Sequence, residues 1–190
     1  MPEWDLISCT TMLSAHAQNG QVDEAKGLFD RIPELDLVSW TAMLSAYADN
    51  AKIKEAYEVF ETMQERSILS ESPDAVSFVC VLLACIHSGK LYEGWAKFCS
   101  MVTDFALKPT PQHYCCVVEM LGRAGHLRHA EDLLAGMPYL PRASAWRSLL
   151  GACRTGRDVE GGSRATGQVM HLDPRSASSY VVLSSIVAEI

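Results

Sequence analysis

The sequence predicts an all-α fold, an α-solenoid of stacked antiparallel helix pairs with about five helix-turn-helix units and a truncated sixth. Three observations lead there. The first twenty residues, MPEWDLISCTTMLSAHAQNG, return thirty-one residues later as IPELDLVSWTAMLSAYADNA, with twelve of twenty positions identical. An aromatic residue, once replaced by cysteine, recurs at Cys9, Trp40, Phe78, Tyr114, Trp146 and Tyr180, at spacings of 31, 38, 36, 32 and 34 residues. A second apolar set follows in each of the first four units at positions i, i+3, i+7 and i+10. Self-similarity at periods of this size marks solenoids and related repeat arrays.

Each unit opens with a first helix. The recurring aromatic leads into apolar, Ala-rich stretches such as MLSAYA, VLLACIHSG and VVEMLGRAG, which usually end in Gly or Asn-Gly. Such residues enter the left-handed conformation that terminates a helix at little cost. The second helix carries Val22, Ala25, Phe29 and Ile32; then Ile53, Ala56, Phe60 and Met63; Leu91, Gly94, Phe98 and Met101; and Leu127, Ala130, Leu134 and Met137. That spacing holds four side chains on one helix face, with a small residue second, where two helices come close. Charges such as Asp23, Glu24, Lys54 and Glu55 fall between them and suit a solvated face.

The resulting units are residues 1–5 (the end of a preceding repeat), 6–36 (short), 37–74 (standard, with a loop insertion), 75–110 (long), 111–142 (short), 143–176 and a truncated 177–190. Neither end carries the polar capping element a solenoid needs. The sequence is therefore expected to be a piece of a longer protein, or a shortened gene product, with an apolar, poorly anchored face after about Tyr180. In the fifth unit, the second helix VEGGSRATGQVM contains Gly161, Gly162 and Gly167, and interior glycines cost roughly 1 kcal/mol each relative to Ala.

Composition narrows the function classes. With 48% hydrophobic and 21% charged residues, the chain has the balance of a soluble globular protein. No apolar run approaches the roughly 20 residues of a membrane span, and no membrane partner is expected. A net charge of −7 counts against nucleic-acid binding by charge alone. The seven cysteines lack a C-x-x-C pair and a disulfide-like pattern, and read as reduced thiols, most of them buried.

On these residues the chain resembles the pentatricopeptide repeat proteins of plant organelles. DLVSWTAMLSAYADNAKIKEAYEVFETMQE looks like a standard repeat, and PTPQHYCCVVEMLGRAGHLRHAEDLLAGMP like the last short repeat before that family's C-terminal extension. AWRSLLGACRTGRDVE and HLDPRSASSYVVLSSI resemble the extension itself, the E region. Alternation of short, standard and long repeats is similar to the editing-type, or PLS, subclass. The tetratricopeptide repeat, the nearest structural rival, keeps to 34 residues and places Leu-Gly after its Trp, where this chain reads WTAMLSA.

The resemblance implies single-stranded organellar RNA as partner, each repeat reading one base through two or three side chains. Carried over, the first unit supplies Ile7 as a wedge between bases and Thr10 with Asp36 as the reading pair. The second supplies Val38, Thr41 and Asp74. The family associates Thr with Asp with guanine, so two adjacent guanines are expected. The third unit has Val79 and Thr110 at these places, the fourth Cys115 and Arg142, and the extension Arg147 and Ser176. Beside this stands a plainer reading: the threonines are ordinary N-terminal helix residues, and Asp36 and Asp74 cap the helices that follow them. One Asp can do both. Few phosphate contacts are in sight, so modest affinity is expected.

The resemblance further implies a specificity factor for C-to-U RNA editing, in mitochondria or alternatively chloroplasts, with a deaminase-bearing or editing-accessory protein recruited through the E region. An RNA processing or stability factor, or a protein-interaction scaffold without RNA, are the alternatives. The chain itself is expected not to be an enzyme and to need no cofactor or metal. The zinc deaminases use His-x-Glu followed by Cys-x-x-Cys; the sequence has one His-x-Glu, His129-Ala130-Glu131, and no Cys-x-x-Cys. His126 and His129 share a helix face at i, i+3 but read as a surface pair.

Overall fold

The computed structural model describes residues 6–66, 72–175 and 177–188. Among these there are eleven α-helices and no strand: α1 (Leu6–Gln18), α2 (Val22–Phe29), α3 (Leu37–Asp49), α4 (Ile53–Arg66), α5 (Ala75–Ser88), α6 (Leu91–Thr103), α7 (Pro111–Arg123), α8 (Leu127–Gly136), α9 (Ala143–Gly156), α10 (Val159–Leu172) and α11 (Ala177–Ala188). The chain forms two compact bodies, Met1–Lys108 and Pro109–Ile190.

The five tight turns between paired helices share one geometry. Gln21 N–H donates to His16 O, Lys52 to Tyr47, Lys90 to Cys85, His126 to Leu121 and Asp158 to Cys153, at 2.9–3.0 Å, each spanning five residues. The residue before each donor has positive φ: Gly20, Ala51, Gly89, Gly125 and Arg157. This is the Schellman closure, which satisfies carbonyls the helix end leaves open. Three turns use glycine, as the sequence suggested. Ala51 and Arg157, at φ 56° and 54°, do so against the clash of their own Cβ. Ala51→Gly is therefore expected to raise the unfolding free energy by about 1 kcal/mol; a fall in the thermal midpoint would contradict this turn geometry.

In the first body α1 packs on α3 and α3 on α5, so the first helices make one layer. Helices α2 and α4 pack on their own first helix and on the next one, forming the other layer. The predicted stripes lie between the layers: Val22, Ala25, Phe29, Ala56, Phe60, Met63, Phe98 and Met101 are buried. The recurring aromatics link successive pairs. Trp40 stands edge-on to Phe29 at 5.1 Å, and Phe78 to Phe60 at 5.2 Å and Phe105 at 5.3 Å.

The second body repeats the scheme, with α7 on α9, α9 on α11, and α8 and α10 bridging them. Its core gathers Val118, Leu134, Trp146, Leu149, Leu150, Val169 and Ile186. Helix α10 forms over fourteen residues despite its glycines, and two of the three have a packing reason. A Cβ on Gly162 would lie 2.8 Å from Ile186 Cδ1, and one on Gly161 would run into the Asp158 carboxylate that caps the helix; at Gly167 a Cβ meets nothing within 4 Å. Tyr180, Val181 and Val187 are exposed on α11, while Ile186 anchors it.

The cysteines are free. Cys80, Cys85, Cys116 and Cys153 are buried, Cys9 and Cys115 partly so, and Cys99 is exposed. Burial pushes the thiols of Cys80 and Cys153 up to about 11, so they stay protonated near neutrality.

Candidate nucleic-acid interface

The expected reading residues sit at the N-terminal ends of the first helices, and the sequence dictates this locally. Asp36 and Asp74 are N-caps with extended backbone, so each carboxylate reaches forward to the third residue of the helix. Asp36 Oδ1 accepts from Ser39 N at 2.8 Å and from Ser39 Oγ at 2.6 Å. Asp74 Oδ1 accepts from Ser77 N and Ser77 Oγ, both at 2.8 Å. The plainer reading is thus present in the structure: both aspartates cap. All four bonds fall on Oδ1, and each aspartate is partly exposed, which leaves Oδ2 for a ligand.

The threonines are turned toward their own helices. Thr10 Oγ1 donates to Ile7 O at 3.0 Å, and Thr41 Oγ1 to Leu37 O at 2.8 Å or Val38 O at 3.1 Å. A hydroxyl has one proton, so with that proton on the backbone the remaining lone pairs act as acceptors. Thr10 is only 8% exposed and Thr41 is half-buried. The wedge candidates Ile7 and Val38 are 71% and 59% exposed, far more than large aliphatics in a packed helix layer.

Sequence reasoning missed a third member of that row. Val76 is 55% exposed and stands second in α5, as Ile7 does in α1 and Val38 in α3. The signal was available: Val76 follows its cap Asp74 by two residues, as Val38 follows Asp36. Val79 is 8% exposed and belongs to the core of the first body.

The remaining positions lie in the second body. Thr110 precedes α7, and His113 Nδ1 accepts from Thr110 N at 3.0 Å. Because Nδ1 accepts there, it carries no proton, and the 2.7 Å contact with Thr110 Oγ1 is a bond donated by the hydroxyl. Cys115 is half-buried, and burial raises its thiol while the neighbouring Arg142 charge opposes that shift. Arg142 is exposed at the N-cap of α9 and makes no side-chain cap bond. Arg147 pairs with Asp173 at 2.5 Å, and Ser176 lies outside the described residues. The rings of His126 and His129 are 5.8 Å apart, and no cluster of three metal-ligating side chains occurs among the described residues.

Charge divides between the layers. Helices α1, α3 and α5 contain no Lys or Arg and one acidic residue, Asp49. Helices α2 and α4 hold Asp23, Glu24, Glu55, Glu58, Glu61 and Glu65. The acidity of the first body therefore belongs mainly to its second-helix layer, and the face with the expected reading positions carries few charges besides Asp36 and Asp74.

The PPR repeat model matches residues 7–37 and the PPR repeat family model residues 35–87. A mitochondrial pentatricopeptide repeat-containing protein of Arabidopsis thaliana is 36% identical over 98% of this chain. A chloroplastic one from the same plant is 40% identical over 61% of it. The chain spans only 33% and 14% of these two relatives. Among solved structures, the pentatricopeptide repeat protein PPR10, known from maize, in complex with an 18-nucleotide psaJ RNA element superposes with a TM-score of 0.75 at 21% identity. That match covers 93% of this chain and 25% of the other. The repeat geometry, the two family matches and the similarity along nearly the whole chain agree: residues 7–87 match pentatricopeptide repeats, and the chain is similar to pentatricopeptide repeat proteins of plants.

Proposed function

We propose that this chain is the RNA-reading part of a sequence-specific single-stranded RNA-binding protein of plant organelles, and that its first two repeats read adjacent guanines. One observation carries the reading. In both repeats the threonine proton is held by a backbone carbonyl and the aspartate leaves Oδ2 open, so the pair offers acceptors only. Guanine is the base whose pairing edge offers neighbouring donors, N1–H and the N2 amino group; adenine places an acceptor at N1. Exposed Ile7, Val38 and Val76 supply apolar surfaces against which bases stack.

The whole protein, in this reading, is a specificity factor for C-to-U editing. The chain contributes binding and no catalysis, and a deaminase or editing-accessory protein is recruited through residues 143–176. This rests on the likeness of residues 111–176 to the last short repeat and E region of editing-type proteins. Mitochondria are the proposed compartment, with chloroplasts the alternative, since similar plant proteins carry both names.

Titration of the full chain with short single-stranded RNAs containing GG or AA tests the reading. GG is expected to bind at least tenfold more tightly, since each good base contact discriminates by about 1–3 kcal/mol. Thr41→Asn, which adds a donor to one reading pair, is expected to shrink that ratio by roughly tenfold. Equal binding of both RNAs sinks the proposal. In plants lacking the protein, one organellar cytidine is expected to remain unconverted in an otherwise intact transcript. Altered transcript ends with editing unaffected would favour the processing role.

A further inference from the structure

The residue that closes each cap is buried, and its chemistry matches the side chain it holds. Ser39 and Ser77, third in α3 and α5, are fully buried and each donates both N–H and O–H to an aspartate. His113, third in α7 and equally buried, presents an acceptor nitrogen to Thr110, a donor. Ala145, third in α9, offers no polar side-chain group, and Arg142 before it makes no cap bond. At the starts of α3 and α5, the buried third residue thus fixes which oxygen of the cap faces inward and which remains outside.

We propose that Ser39 and Ser77 are positioning residues for base recognition: by engaging Oδ1 of Asp36 and Asp74 twice, they aim Oδ2 of each carboxylate at the base. The backbone N–H alone satisfies the helix cap but leaves the carboxylate free to rotate about its Cβ–Cγ bond, exchanging its oxygens. The buried hydroxyl adds a second, convergent bond to the same oxygen. It also makes an acceptor at this oxygen obligatory, because a fully buried hydroxyl proton without a partner is costly. The reading pair is thereby pre-organised as an acceptor before RNA arrives, and less is lost in ordering it on binding. The inference rests on the guanine-reading proposal above and assigns its precision to two residues that need not touch RNA.

The test uses the full chain and four RNAs containing GG, AG, GA or AA at the two read positions. Ser39→Ala is expected to weaken discrimination at the base read with Asp36 by roughly five- to tenfold, the range of one lost hydrogen bond. Discrimination at the neighbouring base, and affinity for AA, should be unchanged. Ser77→Ala should do the same at the other base only. Ser88→Ala, which removes a hydroxyl bonded within α5 to Ala84 O and Cys85 O, is the control and should change neither. A purely structural role predicts equal losses for all four RNAs, and that result overturns the inference. The two serine variants probe separate caps, so either one that folds decides between these outcomes. If wild-type protein discriminates guanine and both variants keep that discrimination, the positioning role alone fails. If wild-type protein does not discriminate, the guanine reading fails with it.

Discussion

Truncating Phe78 to alanine is expected to cost the first body about 3–5 kcal/mol, the usual range for a fully buried aromatic. The ring has no solvent exposure and stands edge-on between Phe60 of α4 and Phe105 beyond α6. It joins three elements from two successive helix pairs, so the loss is not confined to one hairpin. The first body is tightly filled, with Met43, Leu44, Met63 and Leu82 also fully buried, which leaves little room for a cavity to collapse. Urea unfolding should show a much lower midpoint, since the change approaches a large part of the 5–15 kcal/mol a typical domain possesses. Tyr92→Ala, at an 86% exposed site, should move the midpoint little. A Phe78→Ala loss below about 1 kcal/mol would be inconsistent with ordinary core packing of this ring.

The fold was legible because a solenoid writes its packing in one dimension. The small residue in each second-helix stripe, Ala25, Ala56, Gly94 or Ala130, is buried, as its place in the stripe required. Each unit meets only its neighbours, so local spacing carries nearly all the information. What escaped the sequence was chemistry that depends on conformation. Ala51 and Arg157 are poor left-handed residues, and only the repeated turn geometry places them there. His113 gave no sign that it serves as a cap acceptor, because imidazole is an unusual partner for an N-cap threonine. The site was half legible in the same way. Asp36 and Asp74 could be found as caps from their position before an apolar helix, while their proposed part in base reading comes from the family resemblance alone. That Thr10 and Thr41 point their protons at their own backbones, turning each pair into acceptors, depends on rotamers no sequence pattern records. Gly161 and Gly162 show the converse error of propensity reasoning: residues that weaken an isolated helix allow close contact within a folded one.

That conflict between propensity and packing yields the second large prediction, at Gly122 in α7. An added Cβ there would lie 2.7 Å from Ala152 Cβ in α9. Carbon atoms in contact sit near 3.5–4.0 Å, and neither partner has a flexible end to move away. Relief requires the backbones of α7 and α9 to part, which disturbs the layer that seats Val118, Leu149 and Leu150. Gly122→Val is expected to lose about 3 kcal/mol, the upper part of the usual overpacking range. Gly122→Ala should lose less, because part of the clash is offset by the roughly 1 kcal/mol that alanine gains over glycine inside a helix. Gly167→Ala, facing open space in α10, receives the same propensity gain without a clash and should stabilise by about that amount. The decisive measurement is the cycle. Ala152→Gly removes the opposing Cβ, so Gly122→Ala introduced beside it should be tolerated or stabilising, with a coupling of about 1–2 kcal/mol. Additive effects in the double variant would mean that the helices are not held at this distance by the glycine.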